Sequence, residues 1–340
     1  MAVKTEIFGK INGQEVKRFT ISSEKMEVRL VEFGASIQGL KVKTKKGEWV
    51  ETVLFHDTAE LYAMNPGFWG AVCGRHANRI GNAEFSLHGT VYKLEKNEKE
   101  NSLHSGRGGF HGKQFSGVEV DENTVSFHYF SLDGEQGFPG NMFVKVTYSI
   151  TDKNGLLIEY TSTTDEDTVW NLTNHAYFNL AGKGDVLEHT LQVGADFYTP
   201  VDGSQLTTGE ILKVEGTPFD LRKPEYLKNR IGEGANSLKK GFDHNFVLKV
   251  NENEPDATLH CPETGLTMEV YTTMPGVQVY TAAGLNGKLT SNGIPAPRFG
   301  GVCLETQYFP NSLAHAHFPQ PIQQEGTLCV ESTEYRFSMN

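Results

Sequence analysis

The chain has 340 residues, of which 38% are hydrophobic, and this is enough to bury a large core. Its formal net charge is −11 at pH 7, and a field of that sign repels nucleic-acid phosphates and anionic lipid surfaces. Composition therefore disfavours proteins that bind nucleic acid or membrane surfaces.

Targeting and redox signals point to a cytoplasmic protein. The start, MAVKTEIFGKINGQEV, lacks the apolar run of a signal peptide, and no stretch approaches the ~20 apolar residues of a membrane span. The cysteines, which lack C-x-x-C spacing, are typical of reduced thiols rather than of disulfides or a zinc site: Cys73, Cys261, Cys303 and Cys329. We expect a monomer or homodimer without a cofactor.

The predicted elements, in chain order, are mostly strands. A short helix is expected in DTAELYAM, and a second in KPEYLKNRI, where Pro224 suits a first helical turn. Between and after them, runs with period-two or β-branched character predict strands: TVSFHYFSL, MFVKVTYSI, GLLIEYTSTT, HTLQVGADFYTPV, LTMEVYTTM, GVQVYTAAGL and GVCLETQYFP. With 36 glycines for turns and no βαβ alternation, this pattern predicts one antiparallel β-sandwich domain over residues 1–340.

The stretch NLTNHAYFNL, residues 171–180, has unusual polarity for a core strand. Read as a strand, it places polar residues around His175 on one face and apolar residues on the other. Two later stretches have the same property. GVCLETQYFP sets Glu305 and Gln307 opposite apolar residues, and GFDHNFVL does the same for Asp243 and Asn245. A carboxylate or imidazole on a rigid strand is held accurately enough for chemistry.

Two glycine-containing loops add further polar groups. GRHANRIGNA carries Arg75, Asn78 and Arg79, and NSLHSGRGGFHGK carries His104 and His111. Together the five stretches offer an acid, a base, a fixed cation and several amides. This set of groups suits a neutral, polyhydroxylated molecule.

Each of these residues also has a structural interpretation. Arg79 could form a salt bridge, Asp243 could cap a turn, and His104 could satisfy loop backbone groups. In LAHAHFP, His315 and His317 share one face as a pair of potential metal ligands, but spacing identifies no third ligand. We therefore predict no metal site.

Taken in order, several segments resemble those of the aldose 1-epimerases, or galactose mutarotases. The matching segments are GRHANRI, NSLHSGRGGFHGK, NLTNHAYFNLAG, ADFYTPVD followed by TTGE, GFDHNF, PGVQVYT and CLETQYFPN. The resemblance covers almost the whole chain. It implies a large antiparallel β-supersandwich with an open sugar cleft.

The resemblance also implies roles for individual residues. The glutamate of CLETQ, Glu305, corresponds to the family's catalytic base, and the histidine of NLTNH, His175, to its catalytic acid. The sugar-binding residues correspond to Arg79, His104 and Asp243. To these we add two further candidates for sugar contact, Asn78 beside Arg79 and the aromatic Tyr280 of PGVQVYT.

The predicted function is interconversion of the α and β anomers of galactose or glucose, an isomerase role in hexose metabolism. A base removes the proton of the C1 hydroxyl, an acid protonates the ring oxygen, and the opened ring recloses on the other carbonyl face. The alternatives are a hexose-6-phosphate 1-epimerase, a glycosidase with two carboxylates, and a non-catalytic sugar-binding or sugar-sensing protein.

Overall fold

Antiparallel strands form most of the protein in a computed structural model, which describes residues 1–234, 237–249, 254–287, 290–291 and 293–339. The strands of the first half are β1 Ala2–Ile11, β2 Gln14–Ser22, β3 Met26–Val31, β4 Ser36–Lys43, β5 Trp49–Glu51, β6 Val72–Cys73, β7 Arg79–Ile80, β8 Glu84–Leu87, β9 Thr90–Lys93, β10 Ser102–Leu103, β11 Ser116–Asp121, β12 Thr124–Ser131, β13 Met142–Thr151 and β14 Gly155–Thr164. Those of the second half are β15 Thr168–Val169, β16 Thr173–Asn174, β17 Thr190–Val193, β18 Phe197–Thr199, β19 Leu212–Lys213, β20 Glu225–Tyr226, β21 Asp243–Val247, β22 Ala257–His260, β23 Leu266–Thr272, β24 Gly276–Tyr280, β25 Thr290–Ser291, β26 Ile294–Pro295, β27 Cys303–Gln307, β28 Ile322–Gln323 and β29 Cys329–Met339.

Helices are short and few, as predicted. Helix α1 spans Ala59–Met64, and Thr58 caps it by accepting a hydrogen bond from the Leu61 amide. Helix α2 spans Leu227–Arg230. It begins three residues after Pro224, so the prediction of Pro224 in the first helical turn is wrong. In the part of the chain that the structure describes, no helix is long and apolar enough to cross a membrane.

Three large sheets organise the molecule. The first pairs β1 to β5 in chain order, and the second has nine strands in the order β11-β12-β13-β14-β29-β23-β22-β17-β20. The third, which we call the site sheet, has the order β19-β18-β21-β24-β27. A single apolar cluster with members from Phe19 to Phe337 fills the space between them. The prediction of a mainly β, antiparallel supersandwich is confirmed.

Most of the individually predicted strands are also present. The runs beginning at Thr124, Met142, Gly155, Leu266 and Gly276 all form strands, as does CLETQ of GVCLETQYFP. HTLQVGADFYTPV is not one strand, however. It contains β17 and β18, which belong to two different sheets, because the chain leaves the nine-stranded sheet at Gly194.

The interpretation of residues 171–180 as one continuous strand is wrong. Only Thr173–Asn174 form a strand, and Asn171 and Phe178 add isolated bridges. The polar and the apolar side chains of this segment are all buried, because the segment passes between other elements rather than along a sheet surface. His175 is therefore held by tertiary contacts, not by an alternating strand.

Gly70 fixes the neighbourhood of His175, and a substitution there should be costly. Its amide donates to the His175 carbonyl at 2.9 Å, while its φ is +68° and an added Cβ would lie 2.0 Å from the Ile37 carbonyl oxygen. We expect Gly70→Ala to lower the free energy of unfolding by about 1 to 3 kcal/mol more than Gly89→Ala. Gly89 also has a positive φ, but it has open space around it. Urea unfolding of both variants measures the difference, and equal losses would contradict this packing.

Candidate functional site

The site sheet carries two carboxylates, Asp243 on β21 and Glu305 on β27, and strand β24 lies between these two strands. In its register Asp243 lies opposite Tyr280, and Gln278 lies opposite Glu305. The side-chain amide of Gln278 donates to Asp243 Oδ1 at 2.7 Å, which fixes that carboxylate. The predicted placement of Asp243 and Glu305 on strands is therefore confirmed, with Gln278 between them.

His175 approaches this sheet from a different part of the chain. Its amide donates to the Ala71 carbonyl and its carbonyl accepts from Gly70, both at 2.9 Å, so the backbone on either side of the ring is fixed. The His175 Nε2 atom lies 3.6 Å from Glu305 Oε2. This distance is too long for a hydrogen bond but short enough for both atoms to reach one small group between them.

Burial shapes the proton affinity of this pair. His175 is 5% exposed and Glu305 is 2% exposed. Burial raises the pKa of Glu305 well above its usual range, the charge of Asp243 adds to the rise, and Arg79 opposes it. Burial lowers the pKa of His175 to about 4. Neither Glu305 Oε2 nor His175 Nδ1 has a hydrogen-bond partner among the described residues, so Glu305 keeps a free acceptor atom beside His175.

Two neighbouring segments bring Asn78, Arg79 and His104 to the same place. Strand β7, which begins at Arg79, pairs with β10, which ends at Leu103. His104 Nδ1 accepts from the Asn78 amide at 3.1 Å, so its neutral ring carries the proton on Nε2. The Arg79 guanidinium donates two hydrogen bonds to the Glu98 carboxylate, at 2.6 and 2.8 Å.

Aromatic rings enclose His175. Tyr177 stacks on it with ring centroids 5.0 Å apart, Phe68 stacks on it at 5.7 Å, and Tyr280 meets it edge-on at 6.3 Å. Tyr177 is held by its hydroxyl, which donates to the Gly67 carbonyl at 2.9 Å. These rings exclude water from the imidazole and offer apolar faces to a ligand.

All seven predicted site residues line one cavity of about 490 Å³. They come from six separate segments of the chain: Asn78, Arg79, His104, His175, Asp243, Tyr280 and Glu305. The cavity has room for a monosaccharide and presents carboxylates, imidazoles, a guanidinium and an amide toward it. This is a set of groups that can bind hydroxyls and move protons.

The remaining residues singled out in the sequence lie elsewhere. Arg75 is buried beside the cavity-lining segments and donates to a cage of carbonyl and hydroxyl oxygens, those of Ser131, Leu132, Pro139, Gly140 and Thr168. His111 packs edge-on against Phe68. His317 Nε2 forms a hydrogen bond with the Gly209 carbonyl. The ring centroids of His315 and His317 lie 6.1 Å apart. None of these four residues lines the cavity.

Sequence reasoning missed several residues of the cavity. Glu98 lies in the charged run EKNEKEN, where a solvated surface is the ordinary interpretation. Phe68 also lines the cavity, but it is apolar and so was not among the polar residues from which the site was predicted. Gln278 does not line the cavity but binds Asp243, and it could have been found because it stands two residues before Tyr280 on the same strand face.

One subset of the site has the geometry to hold a metal ion. His104, His175 and Glu305 each offer a ligand atom, and these atoms lie within 4.8 Å of one another. Two imidazoles and a carboxylate suit a borderline ion such as Zn²⁺.

Comparisons of the sequence with known proteins agree on one family. The sequence model described as aldose 1-epimerase matches residues 17–336. A protein named galactose mutarotase from Bos taurus is 39% identical, covering 100% of this chain and 99% of the relative. Another of that name from Homo sapiens is 38% identical, with 99% of each chain covered. The aldose 1-epimerase of Haemophilus influenzae is 38% identical, covering 97% of this chain and 98% of the relative.

Solved structures agree with this family. An aldose epimerase homologue from C. elegans superposes with a TM-score of 0.88 at 27% identity, covering 94% of this chain and 98% of that one. A galactose 1-epimerase from Lactobacillus acidophilus shares the fold with a TM-score of 0.87 at 24% identity, covering 100% and 99%.

Proposed function

The chain belongs to the aldose 1-epimerase family, and we propose that it interconverts the α and β anomers of galactose and glucose with Glu305 and His175 as its proton-transfer groups. It is an isomerase that acts on carbohydrates. The observation that supports these two roles is the 3.6 Å approach of a buried carboxylate to a buried imidazole at one cavity.

Glu305 is the base in the proposed ring opening. Its carboxylate removes the proton of the C1 hydroxyl while His175 gives a proton to the ring oxygen, and the bond between C1 and that oxygen breaks. The two oxygens are bonded to the same carbon, so groups a few ångströms apart can serve both. After rotation about the C1–C2 bond, the roles reverse and the ring closes as the other anomer.

The pair must carry one proton to begin this reaction. Burial raises the pKa of Glu305 and lowers that of His175, so a single proton stays on the pair over a wide pH range. When the proton is on His175, the pair is a carboxylate and an imidazolium, which is the form that opens the ring. The charge of Asp243 favours the proton on Glu305, so hydrogen bonds from the bound sugar are needed to place it on His175.

Sugar positioning is assigned to the remaining cavity residues. We propose that Arg79, Asn78, His104 and Asp243 bind the hydroxyls, while Tyr280 contacts the apolar side of the ring. Arg79 and His104 are held by partners that leave other polar atoms available, which supports a binding role. A site that binds hydroxyls in this way discriminates strongly between sugars.

The alternative functions have less support. A sugar phosphate would need free cations beside the cavity, but Arg75 is enclosed by carbonyls and Arg107 is exposed and paired with Glu95 at 2.8 Å. A purely binding protein does not need the Glu305 and His175 pair beside its other polar groups. Release of free sugar from a disaccharide would instead indicate a glycosidase.

We further propose that the chain acts in the cytoplasm as one domain, monomer or homodimer, on free monosaccharides. The family match over residues 17–336 and an apolar cluster that reaches from Phe19 to Phe337 support a single domain. All four cysteines, each in the described part of the chain, are free thiols, which suits a reducing compartment.

Polarimetry tests the activity directly. Freshly dissolved α-galactose and α-glucose each approach a constant optical rotation as the anomers equilibrate. Purified protein at catalytic amounts should accelerate both approaches without changing the end points. Decay at the spontaneous rate in the presence of folded protein would refute the proposed function.

The pH dependence of kcat/KM should be bell-shaped, with limbs that belong to the pair. The acid limb, where a second proton joins the pair, should lie near the lowered His175 pKa of about 4. The alkaline limb, where the last proton leaves, should lie well above the usual glutamate range because burial and Asp243 raise the Glu305 pKa. Asp243→Asn should move the alkaline limb down, since loss of the Asp243 charge makes Glu305 easier to ionise.

Asp256→Asn is the matched control for that shift. Asp256 is a buried carboxyl whose pKa burial raises to about 6, and it binds the Thr272 amide away from the cavity. Its variant should leave both limbs in place. A flat profile, or an unchanged alkaline limb in Asp243→Asn, would contradict the assignment.

A further inference from the structure

Glu98 binds Arg79 through two parallel hydrogen bonds at the cavity wall. Arg79 Nε donates to Glu98 Oε2 at 2.6 Å, and Arg79 Nη2 donates to Glu98 Oε1 at 2.8 Å. This is the fork geometry in which a carboxylate fixes a guanidinium in both position and plane. Among the described hydrogen bonds of Arg79, Nη1 makes none to the protein, so it remains the nitrogen available to a ligand.

Both partners of this ion pair rest on fixed backbone. Glu98 and Asn101 exchange backbone hydrogen bonds at 3.2 and 3.0 Å, and the Asn97 side chain binds the amide and carbonyl of Leu103 at 2.8 and 2.9 Å. Leu103 in turn pairs with Arg79 in the β7–β10 ladder. The loop that carries Glu98 is therefore attached to the strand that carries Arg79.

Exposure separates this pair from an ordinary surface salt bridge. The Arg79 side chain is 10% exposed, that of Glu98 is 32% exposed, and both line the cavity. Solvated surface pairs contribute little because water screens them. Here the guanidinium is largely removed from water, so its orientation depends on the carboxylate.

The charge of the cavity also depends on Glu98. Among the described residues that line it, Arg79 is the only lysine or arginine, whereas three are acidic: Glu98, Asp243 and Glu305. Burial acts to lower the pKa of Arg79, but the hydrogen bonds of Glu98 and the charges of Asp243 and Glu98 raise it, so it stays a cation. The negative charge of Glu98 neutralises the positive charge of Arg79 before any ligand enters.

We propose that Glu98 is a positioning residue that orients Arg79 for a sugar hydroxyl and cancels its charge, so that the cavity rejects aldoses carrying a phosphate. This inference rests on the proposed function, because it assigns Arg79 to a sugar hydroxyl. A phosphate dianion needs unpaired cations, and Arg79, the one lysine or arginine that the structure describes at this wall, already binds a carboxylate. A neutral hydroxyl needs only a donor in a fixed direction, which Nη1 supplies.

Two substitutions at position 98 separate charge from geometry. Glu98→Gln removes the charge and replaces one acceptor with a donor facing the guanidinium. Glu98→Asp keeps the charge but shortens the side chain, so the two parallel bonds cannot both form. Glu100→Gln is the matched control, because Glu100 is exposed on the same loop and pairs with Lys96. It changes the net charge equally without touching Arg79.

Calorimetry and steady-state kinetics on the full chain read out the two effects. Glu98→Gln should bind galactose 6-phosphate about tenfold more tightly than Glu100→Gln does, whereas Glu98→Asp should reject it as the unmodified protein does. Both Glu98 variants should raise KM for galactose about tenfold with a smaller change in kcat, since Arg79 loses its orientation but the proton-transfer pair is intact.

The proposal is overturned if Glu98→Gln binds galactose 6-phosphate no better than Glu100→Gln. It is equally overturned if Glu98→Asp keeps the unmodified KM for galactose, because position would then not matter. Binding constants are measured without turnover, so a protein that lacks mutarotation would refute the proposed function and still leave the phosphate comparison readable. Circular dichroism identifies a variant that has unfolded, and binding is then compared for Arg79→Met, which should lose galactose affinity and gain none for the phosphate.

Discussion

Glu305→Gln should reduce anomer interconversion by roughly 10²- to 10⁴-fold or more, while galactose still binds. Glutamine has nearly the shape of glutamate, so the buried strand β27 keeps its packing, but the amide cannot accept the C1 hydroxyl proton. Glu305 is 2% exposed, and its Oε2 atom, which has no hydrogen-bond partner among the described residues, lies 3.6 Å from His175 Nε2. Exchange between the anomeric proton signals of galactose, followed by NMR, measures the rate, and calorimetry measures binding.

Glu331→Gln is the control for the loss of a carboxylate from a buried environment. Burial raises the pKa of Glu331 also, but its oxygens accept from the hydroxyls of Thr273 and Tyr308 rather than facing the cavity. That variant should keep full activity. Normal exchange by Glu305→Gln would show that the base is another group.

His175→Asn should lower kcat by a similar factor, and it should also remove the acid limb of the pH profile. The reason is that the acid limb is assigned to protonation of His175, whose pKa burial lowers to about 4. Asparagine can donate a hydrogen bond to the ring oxygen but cannot transfer a proton to it. Polarimetry from about pH 3 to about pH 9 would measure both effects on the same preparation.

His189→Asn controls for removing a buried imidazole. Burial lowers the pKa of His189 to about 4 as well, but its Nε2 accepts from the Leu180 amide and it does not line the cavity. Its variant should retain kcat and both limbs. If His175→Asn kept its acid limb, the proton donor would have to be sought elsewhere in the cavity. Combining Glu305→Gln with His175→Asn should cost little more than either change alone, because the two groups act as a unit.

The sequence predicted which residues meet at one cavity better than it predicted the elements that hold them there. Asp243 and Glu305 both lie on strands, so period-two reasoning placed them on the correct type of element. His175 was assigned through a strand that is only two residues long, and its position is set by backbone contacts with Gly70 and Ala71. Such contacts join residues about a hundred positions apart, and no local pattern contains them.

Other features left no readable signal for physical reasons. Strand β4 buries five residues in succession and β1 is largely exposed, so neither shows clean alternation between two faces. The change from one sheet to another after β17 cannot be predicted from the sequence. Hydrophobic periodicity indicates which face of a sheet a side chain occupies, but not which strand is its neighbour. Glu98 had the composition of a solvated charge run, and only the fold shows that it meets Arg79.

A crystal structure of Glu305→Gln with galactose tests the central claim most directly, because the inactive variant should hold one anomer in place. We expect the C1 hydroxyl to lie within ~2.6 to 3.2 Å of the residue 305 side chain and the ring oxygen to face His175 Nε2. Galactose bound with its C1 end turned away from both side chains, or bound in a different cavity, would contradict it.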